Sequence, residues 1–99
     1  MSTVAAEVVM YRTPFCPYCV RAAQLLSRKG ARVREVDVSD DPEKRDWLME
    51  VTRMRTVPQI FINGAPVGGF DDIAALDRRG VLDQLLSEAP RAPTATPTA

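Results

Sequence analysis

Two cysteines, separated by two residues, lie where the chain changes from a strand pattern to a helix pattern. Residues 7–11 form a short apolar segment typical of a buried strand, and a turn at Thr13 and Pro14 follows it. Cys16 comes next, and Pro17 suits the first turn of a helix, where its missing N–H costs nothing. The order strand, dithiol and helix restricts the chain to folds that place Cys16 and Cys19 at a helix N-terminus.

The helix that begins near Cys16 is predicted to be amphipathic and to end at Gly30. Its predicted buried face consists of Val20, Ala22, Ala23, Leu25 and Leu26. A second strand is predicted over residues 33–38, and its alternation of valines with acidic residues is typical of an edge strand.

The second half of the chain continues with a helix, a hairpin and a two-part helix. An acidic cap followed by Pro42 starts a helix, whose predicted buried residues are Trp47, Leu48 and Val51. Asn63-Gly64 between two short apolar segments predicts a β-hairpin. The helix that follows places Ile73 and Leu76 inward, and after Gly80 a short final helix contains Leu82, Leu85 and Leu86. The order β-α-β-α-β-β-α predicts an α/β fold with a four-stranded mixed sheet flanked by helices on both faces.

Composition excludes several functional classes. Ninety-nine residues are enough for one domain, and 13 basic against 13 acidic residues leave no excess charge for binding nucleic acid. No apolar segment approaches the roughly 18–20 residues that cross a bilayer, and the N-terminal segment lacks the basic start of a secretory signal. Histidine is absent, which removes the commonest general base.

The cysteine pair has three possible interpretations. A structural disulfide is disfavoured, because secreted disulfide scaffolds of this size carry more cysteines. The first interpretation is therefore a zinc site, which needs four ligands and would have to be shared between two chains. Plain packing of two small side chains is the second alternative. The third is a redox-active dithiol, in which Cys16 at the helix N-terminus is favoured as a thiolate and Cys19, one turn further, is more buried and protonated.

Two further segments contain residues suited to a binding site. Thr56-Val57-Pro58 directly precedes the hairpin, and Pro58 alone does not indicate more than a strand entry. In Gly68-Gly69-Phe70-Asp71-Asp72 the paired glycines allow close approach of a ligand, and the following helix N-terminus is suited to a carboxylate.

Taken together, these motifs resemble those of the small dithiol glutaredoxins. The resemblance covers residues 8–86 and rests on Cys16-Pro17-Tyr18-Cys19, on residues 56–62, on residues 68–72 and on the segment from Ala75 to Leu82. It implies a thioredoxin-like fold over residues 1–88. Residues 89–99, which contain only Pro, Thr, Ala and one Arg, are predicted to be a disordered tail.

The resemblance also implies a binding site for glutathione. Val57, before a cis Pro58, would pair with the cysteine of the tripeptide, with Thr56 alongside it. Gly69, Phe70 and Asp71 would hold its γ-glutamyl end. A residue of the second helix would meet its glycine carboxylate, and Arg45 matches that position; Tyr18 completes the set of expected glutathione contacts.

This chain departs from the family pattern at two positions. The basic residue expected three places before the first cysteine is Thr13, so that Arg12 or Arg55 would have to replace it. The glycine often found at the end of the second helix is Arg53, which would be strained in a left-handed cap.

The function that the resemblance implies is glutathione-dependent thiol-disulfide exchange. Cys16 acts as the nucleophile and Cys19 as the resolving thiol, and the substrates are disulfide-bonded and glutathionylated proteins. We expect glutathione as co-substrate, no metal, a monomer, and a cytoplasmic location. The alternative is an iron-sulfur assembly module in which two chains and two glutathiones hold a cluster through Cys16. An inert thioredoxin-fold interaction domain is the third possibility.

Overall fold

The computed structural model describes residues 5–90 and arranges them in four strands and four helices. The elements in chain order are β1 (Val8–Arg12), α1 (Pro17–Arg28), β2 (Val33–Asp37), α2 (Pro42–Thr52), β3 (Gln59–Ile62), β4 (Ala65–Gly68), α3 (Phe70–Arg78) and α4 (Val81–Ser87). The first two residues of the predicted tail, Ala89 and Pro90, lie outside any helix or strand. Residues 91–99 lie outside the described part of the chain, and disorder there stays a prediction.

The four strands form one mixed sheet in the order β2-β1-β3-β4. β1 pairs with β2 in parallel and with β3 antiparallel, and β3 and β4 form the hairpin. Asn63 and Gly64 have φ values of 53° and 83°, the left-handed geometry of a two-residue hairpin turn. The predicted α/β fold of the thioredoxin-like type, including the edge position of β2, is therefore confirmed.

Helices cover both faces of this sheet. On one face, residues of α1, α3 and α4 surround the inward side chains of β1 and β3, and Met10 and Ile60 are fully buried there. On the other face, α2 packs through Leu48 against Phe61 and Val38. The larger of the two cores, on the face covered by α1, α3 and α4, contains residues of both β1 and α1. It therefore holds the end of β1 and the start of α1 in a fixed position.

The buried face of α1 differs from the predicted one. Val20 is 45% exposed, whereas Cys19 and Ala22 are fully buried together with Leu25 and Leu26. The helix is therefore rotated relative to the prediction, and Cys19 points into the core. The predicted apolar stripe did not include this thiol. A thiol behaves as a small apolar side chain at such a position.

The predicted buried face of α2 was also wrong at two of its three positions. Leu48 is buried, but Trp47 is 39% exposed and Val51 is 43% exposed. Trp47 keeps one ring face on the sheet, where it stacks on Phe61 with 5.7 Å between ring centroids. Because α2 alone covers this face, only Leu48 of the helix is fully enclosed, and Trp47 and Val51 lie at the edge of the contact.

Arg53 adopts the left-handed cap that the family's glycine would occupy. Its φ is 63°, and its N–H donates to the carbonyl of Met49 at 2.8 Å at the end of α2. The backbone geometry of the glycine position is therefore kept although the side chain is not.

Within residues 5–90, none of the helices is long and apolar enough to cross a membrane.

Candidate active site

Cys16 is the residue that caps the N-terminus of α1. Its backbone is extended, and its Sγ accepts a hydrogen bond from the N–H of Cys19 at 3.2 Å. Pro17 occupies the first turn, as predicted, and the first turn contains no acidic residue. A helix N-terminus favours negative charge through its unpaired N–H groups, and the Cys16 Sγ lies at this end of α1.

Cys19 has the opposite environment. It is fully buried, and both thiols are free. Burial, followed by the hydrogen bond with Cys16, raises the pKa of the Cys19 thiol to about 12. The two cysteines are thus differentiated as predicted, with Cys16 partly accessible and Cys19 enclosed and protonated.

The raised pKa of Cys19 predicts a specific loss of stability in alkaline solution. Below about pH 9, the ordinary value of the thiol, the contribution of the protonated thiol to folding is fully present. As the pH rises toward the folded value of about 12, the unfolded chain loses the proton first, so the free energy of unfolding falls by up to about 1.4 kcal/mol per pH unit. Urea unfolding of the reduced protein between pH 7 and 10 measures this slope. Cys19→Ala, which keeps the other titrating groups, is expected to lack this component, and parallel slopes for both proteins would contradict the assignment.

Val57 and Pro58 lie beside the nucleophile. The Val57-Pro58 peptide bond is cis, as the resemblance implied. The thiol of Cys16 donates to the carbonyl oxygen of Val57 at an Sγ–O distance of 3.9 Å. Pro58 is buried, whereas Thr56 is exposed. The backbone of Val57 is therefore the part of the strand entry that adjoins the sulfur.

The N-terminus of α3 forms the next part of the site. Gly69 precedes the helix, and its N–H donates to the Asp72 Oδ2 at 2.9 Å. A side chain at Gly69 would place its Cβ 3.2 Å from the carbonyl oxygen of Pro58, so glycine permits the close approach of α3 to the cis proline. Gly69, at the start of α3, is thereby placed next to Pro58.

Two aromatic side chains connect α1 with α3. The ring of Tyr18 lies 6.4 Å from that of Phe70, and the guanidinium of Arg21 lies 5.5 Å from the centre of the Tyr18 ring. Tyr18 is half exposed, and Asp71 is exposed in the first turn of α3. The contact of Arg21 with Tyr18 was not anticipated from the sequence, although its position three residues after Tyr18 on one helix is a signal for it.

The basic residues lie in two different places. Arg45 and Arg55 line the same small cavity as Thr56 and Val57. They also border an adjoining cavity of about 290 Å³. Arg12, in contrast, forms an ion pair with Glu35 at 2.5 Å, and both residues border a cavity between α1 and the edge strand β2.

The sequence-predicted site residues are therefore brought together from four separate parts of the chain. Contacts join Cys16 to Cys19 and Val57, Pro58 to Gly69, and Tyr18 to Phe70, and Arg45 borders the Val57 cavity. Among residues 5–90, no group of three or more His, Cys, Asp or Glu side chains is arranged to hold a metal ion. The arrangement provides a partly accessible sulfur at a helix N-terminus, a second sulfur that is buried and protonated, and the adjoining backbone of Val57.

Comparison with known proteins identifies the family. The family model named Glutaredoxin matches residues 8–67. The chain is 51% identical over 80 residues to a glutaredoxin of Pseudomonas aeruginosa, covering 81% of this chain and 95% of that protein. It is 46% identical over 81 residues to glutaredoxin 3 of Escherichia coli K12, covering 82% and 98%.

Solved structures agree with this result. The crystal structure of a buckwheat glutaredoxin-glutathione complex superposes with a TM-score of 0.78 at 32% identity, covering 82% of this chain and 76% of that one. Sequence and fold thus point to the same group of proteins over most of the chain. The protein belongs to the glutaredoxin family of thiol-disulfide oxidoreductases.

Proposed function

We propose that this protein uses glutathione to reduce protein disulfides and protein-glutathione mixed disulfides. The observation that supports this most strongly is the pairing of a capped, partly accessible Cys16 with a buried, protonated Cys19 one turn away. The structural relative from buckwheat was solved as a complex with glutathione, which supports the same tripeptide as ligand here.

The proposed reaction begins with the Cys16 thiolate. In the monothiol route it attacks the glutathione sulfur of a mixed disulfide, and the target protein leaves as a thiolate. A second glutathione then attacks the Cys16–glutathione disulfide, which releases oxidised glutathione and regenerates Cys16. In the dithiol route Cys16 attacks a protein disulfide, and Cys19 resolves the intermediate to give a Cys16–Cys19 disulfide that two glutathiones reduce.

The environment of Cys19 suits a resolving thiol. Because it is fully buried and its pKa is raised, it does not compete with Cys16 for the first attack. It becomes reactive when Cys16 is in a mixed disulfide, since the hydrogen bond and the negative charge of the Cys16 sulfur are then lost. The buried position thus sets the order of the two steps.

The proposed glutathione site is built largely from backbone groups. The cysteine of the tripeptide pairs with the backbone of Val57, beside Thr56 and the cis Pro58. The γ-glutamyl carboxylate meets the N–H groups of Phe70 and Asp71, because the Gly69 N–H already donates to Asp72. The carboxylate of Asp71 pairs with the γ-glutamyl ammonium, and Tyr18 flanks the sulfur end of the ligand.

The glycine carboxylate of glutathione is assigned to Arg45 and Arg55. Both border the cavity that contains Val57 and Thr56, so two cations converge next to the proposed cysteine subsite. Arg12 forms an ion pair with Glu35 and borders a different cavity. We therefore assign to Arg55, rather than Arg12, the role of the family's missing basic residue.

Substitution of Arg55 tests this assignment. Arg55→Ala is expected to raise the KM for glutathionylated substrate about five-fold with little change in kcat, because an exposed charge-assisted contact is worth on the order of 1 kcal/mol. Steady-state kinetics at low salt measure both constants, and the effect should shrink as salt rises. Arg12→Ala is the matched control, and a larger rise in KM for Arg12→Ala than for Arg55→Ala would reverse the assignment.

The activity itself is tested by a coupled assay. Purified protein with glutathione, NADPH and glutathione reductase should reduce a glutathionylated peptide and a protein disulfide. Absence of turnover on both substrates would exclude the proposed function.

A dithiol that glutathione keeps reduced operates in a reducing compartment. We therefore propose that the protein acts in the cytoplasm, as a monomer that carries electrons from glutathione to its targets. The cluster-bridged dimer is the alternative to this state. Anaerobic purification separates them, because a colourless monomer is expected and a brown dimer would support the cluster.

A further inference from the structure

Phe15, the residue before the nucleophile, is the most exposed large apolar side chain of the described residues. Its relative exposure is 101%, whereas the other exposed large hydrophobic residues range from 39% to 51%. It follows Pro14 in the turn between β1 and α1 and is bonded directly to Cys16. A fully exposed benzyl group therefore stands next to the reactive sulfur.

The fold gains nothing from this side chain. An aromatic ring in full contact with water contributes no burial to stability. Its backbone has a φ of 58°, in the left-handed region that bulky residues disfavour and that Asn or Gly adopt more readily. Both observations oppose phenylalanine at this position on grounds of folding alone.

The position of the ring also limits what it can recognise. The glutathione site proposed above is formed by Val57, Arg45, Arg55 and the start of α3. The Phe15 ring is fully exposed and does not pack against these residues. A side chain that projects into solvent beside Cys16 can reach the part of a substrate that extends beyond a bound tripeptide. In a mixed disulfide, that part is the target polypeptide around its cysteine.

We propose that Phe15 is a specificity-determining contact for polypeptide substrates, packing against an apolar side chain next to the target cysteine. The inference rests on the proposed function, in which Cys16 attacks the glutathione sulfur. The sulfur–sulfur bond of the substrate breaks, a Cys16–glutathione disulfide forms, and the peptide leaves as a thiolate with the electron pair. Phe15 holds the departing peptide and leaves the glutathione half unaffected.

Two synthetic peptides test the proposal. Each contains one glutathionylated cysteine, flanked by leucines in one peptide and by serines in the other. For the wild type, kcat/KM should be several-fold to about tenfold higher for the leucine peptide, because partial burial of two apolar side chains is worth a difference of this size. Phe15→Asn should abolish this preference, and Phe15→Tyr, which keeps the aromatic ring, should retain it.

Controls separate this inference from the proposed function and from folding. Turnover of a small disulfide, 2-hydroxyethyl disulfide with glutathione, should be the same for Phe15→Asn and wild type. Val51→Asn, which changes an exposed apolar residue of α2, should retain the leucine preference. The thermal midpoint of Phe15→Asn should equal or exceed that of the wild type, since asparagine tolerates the left-handed backbone.

Each outcome distinguishes the possibilities. Equal rates on both peptides for the wild type, or an unchanged leucine preference in Phe15→Asn, would overturn the role of Phe15 while leaving the proposed function intact. A lowered thermal midpoint in Phe15→Asn would show a structural role instead. Failure of the wild type on all three substrates would overturn the proposed function itself.

Discussion

Cys16→Ser is expected to abolish turnover on every disulfide substrate. Serine retains the shape of the side chain at the N-cap but does not form an anion at neutral pH, so the first attack on a disulfide sulfur cannot occur. The loss should be complete within the limit of the assay, because the only other cysteine, Cys19, is buried and protonated. The coupled glutathione assay with a glutathionylated peptide and with a protein disulfide measures both activities.

Cys19→Ser is the matched variant, and its effect should differ between the two substrates. Deglutathionylation needs only Cys16 and should persist, whereas reduction of protein disulfides should fall by an order of magnitude or more because the resolving thiol is lost. Equal losses of both activities in Cys19→Ser would contradict the assigned roles. Retention of either activity in Cys16→Ser would show that a different group is the nucleophile.

Gly68→Ala is expected to be the most destabilising of the glycine substitutions. Gly68 has a φ of 106°, which L-residues rarely adopt, and an added Cβ would lie 2.6 Å from the Asp72 Cγ. The Asp72 carboxylate would have to move and release the N–H of Gly69 at the start of α3. Backbone strain of about 1–3 kcal/mol and loss of the cap at about 1 kcal/mol add to roughly 2–4 kcal/mol.

Gly64→Ala provides the control for backbone strain alone. Gly64 has a φ of 83°, but an added Cβ would meet no atom within 4 Å. Its cost should be about 1–2 kcal/mol, from the left-handed backbone only. Urea unfolding of both variants measures the difference, and each kcal/mol should lower the thermal midpoint by about 4–8 °C. If Gly68→Ala is no more destabilising than Gly64→Ala, the contact with Asp72 has no energetic role.

Gly68→Ala should also affect binding of glutathione. The displaced start of α3 carries Phe70 and Asp71, which are proposed to hold the γ-glutamyl end. A rise in KM for glutathione is expected in Gly68→Ala and not in Gly64→Ala, since the hairpin turn lies at the other end of β4.

Local patterns in the sequence predicted the elements well where each was determined by neighbouring residues. Asn63-Gly64 requires left-handed backbone at both positions and therefore indicated the hairpin. Pro17 and Pro42 both lie in first helical turns, where proline is favoured. The alternation of valines with charged residues in β2 indicated an edge strand, and the sheet order places β2 at the edge.

Predictions of burial failed where packing between elements decides which side of a helix turns inward. Val20 and Val51 are as apolar as Leu26 and Leu48, but their orientation depends on how α1 and α2 sit against the sheet. Periodicity defines a stripe about a helix axis and leaves its rotation uncertain by tens of degrees. The buried stripe of α1 includes Cys19 and excludes Val20, so it is rotated about the helix axis relative to the stripe that the apolar residues alone predict.

The chemistry available to this protein can be read from its amino-acid sequence: two thiols one helical turn apart, at a helix N-terminus, in a chain without histidine. Those features depend on residues adjacent in the chain. The distant residues that surround the sulfur, in contrast, are selected by the packing of the sheet and the helices. The sheet order brings Val57 to Cys16, places α3 against Pro58, and groups Arg55 with Arg45 while Glu35 holds Arg12 elsewhere. Contacts between residues far apart in sequence depend on how layers pack, which local propensity does not specify.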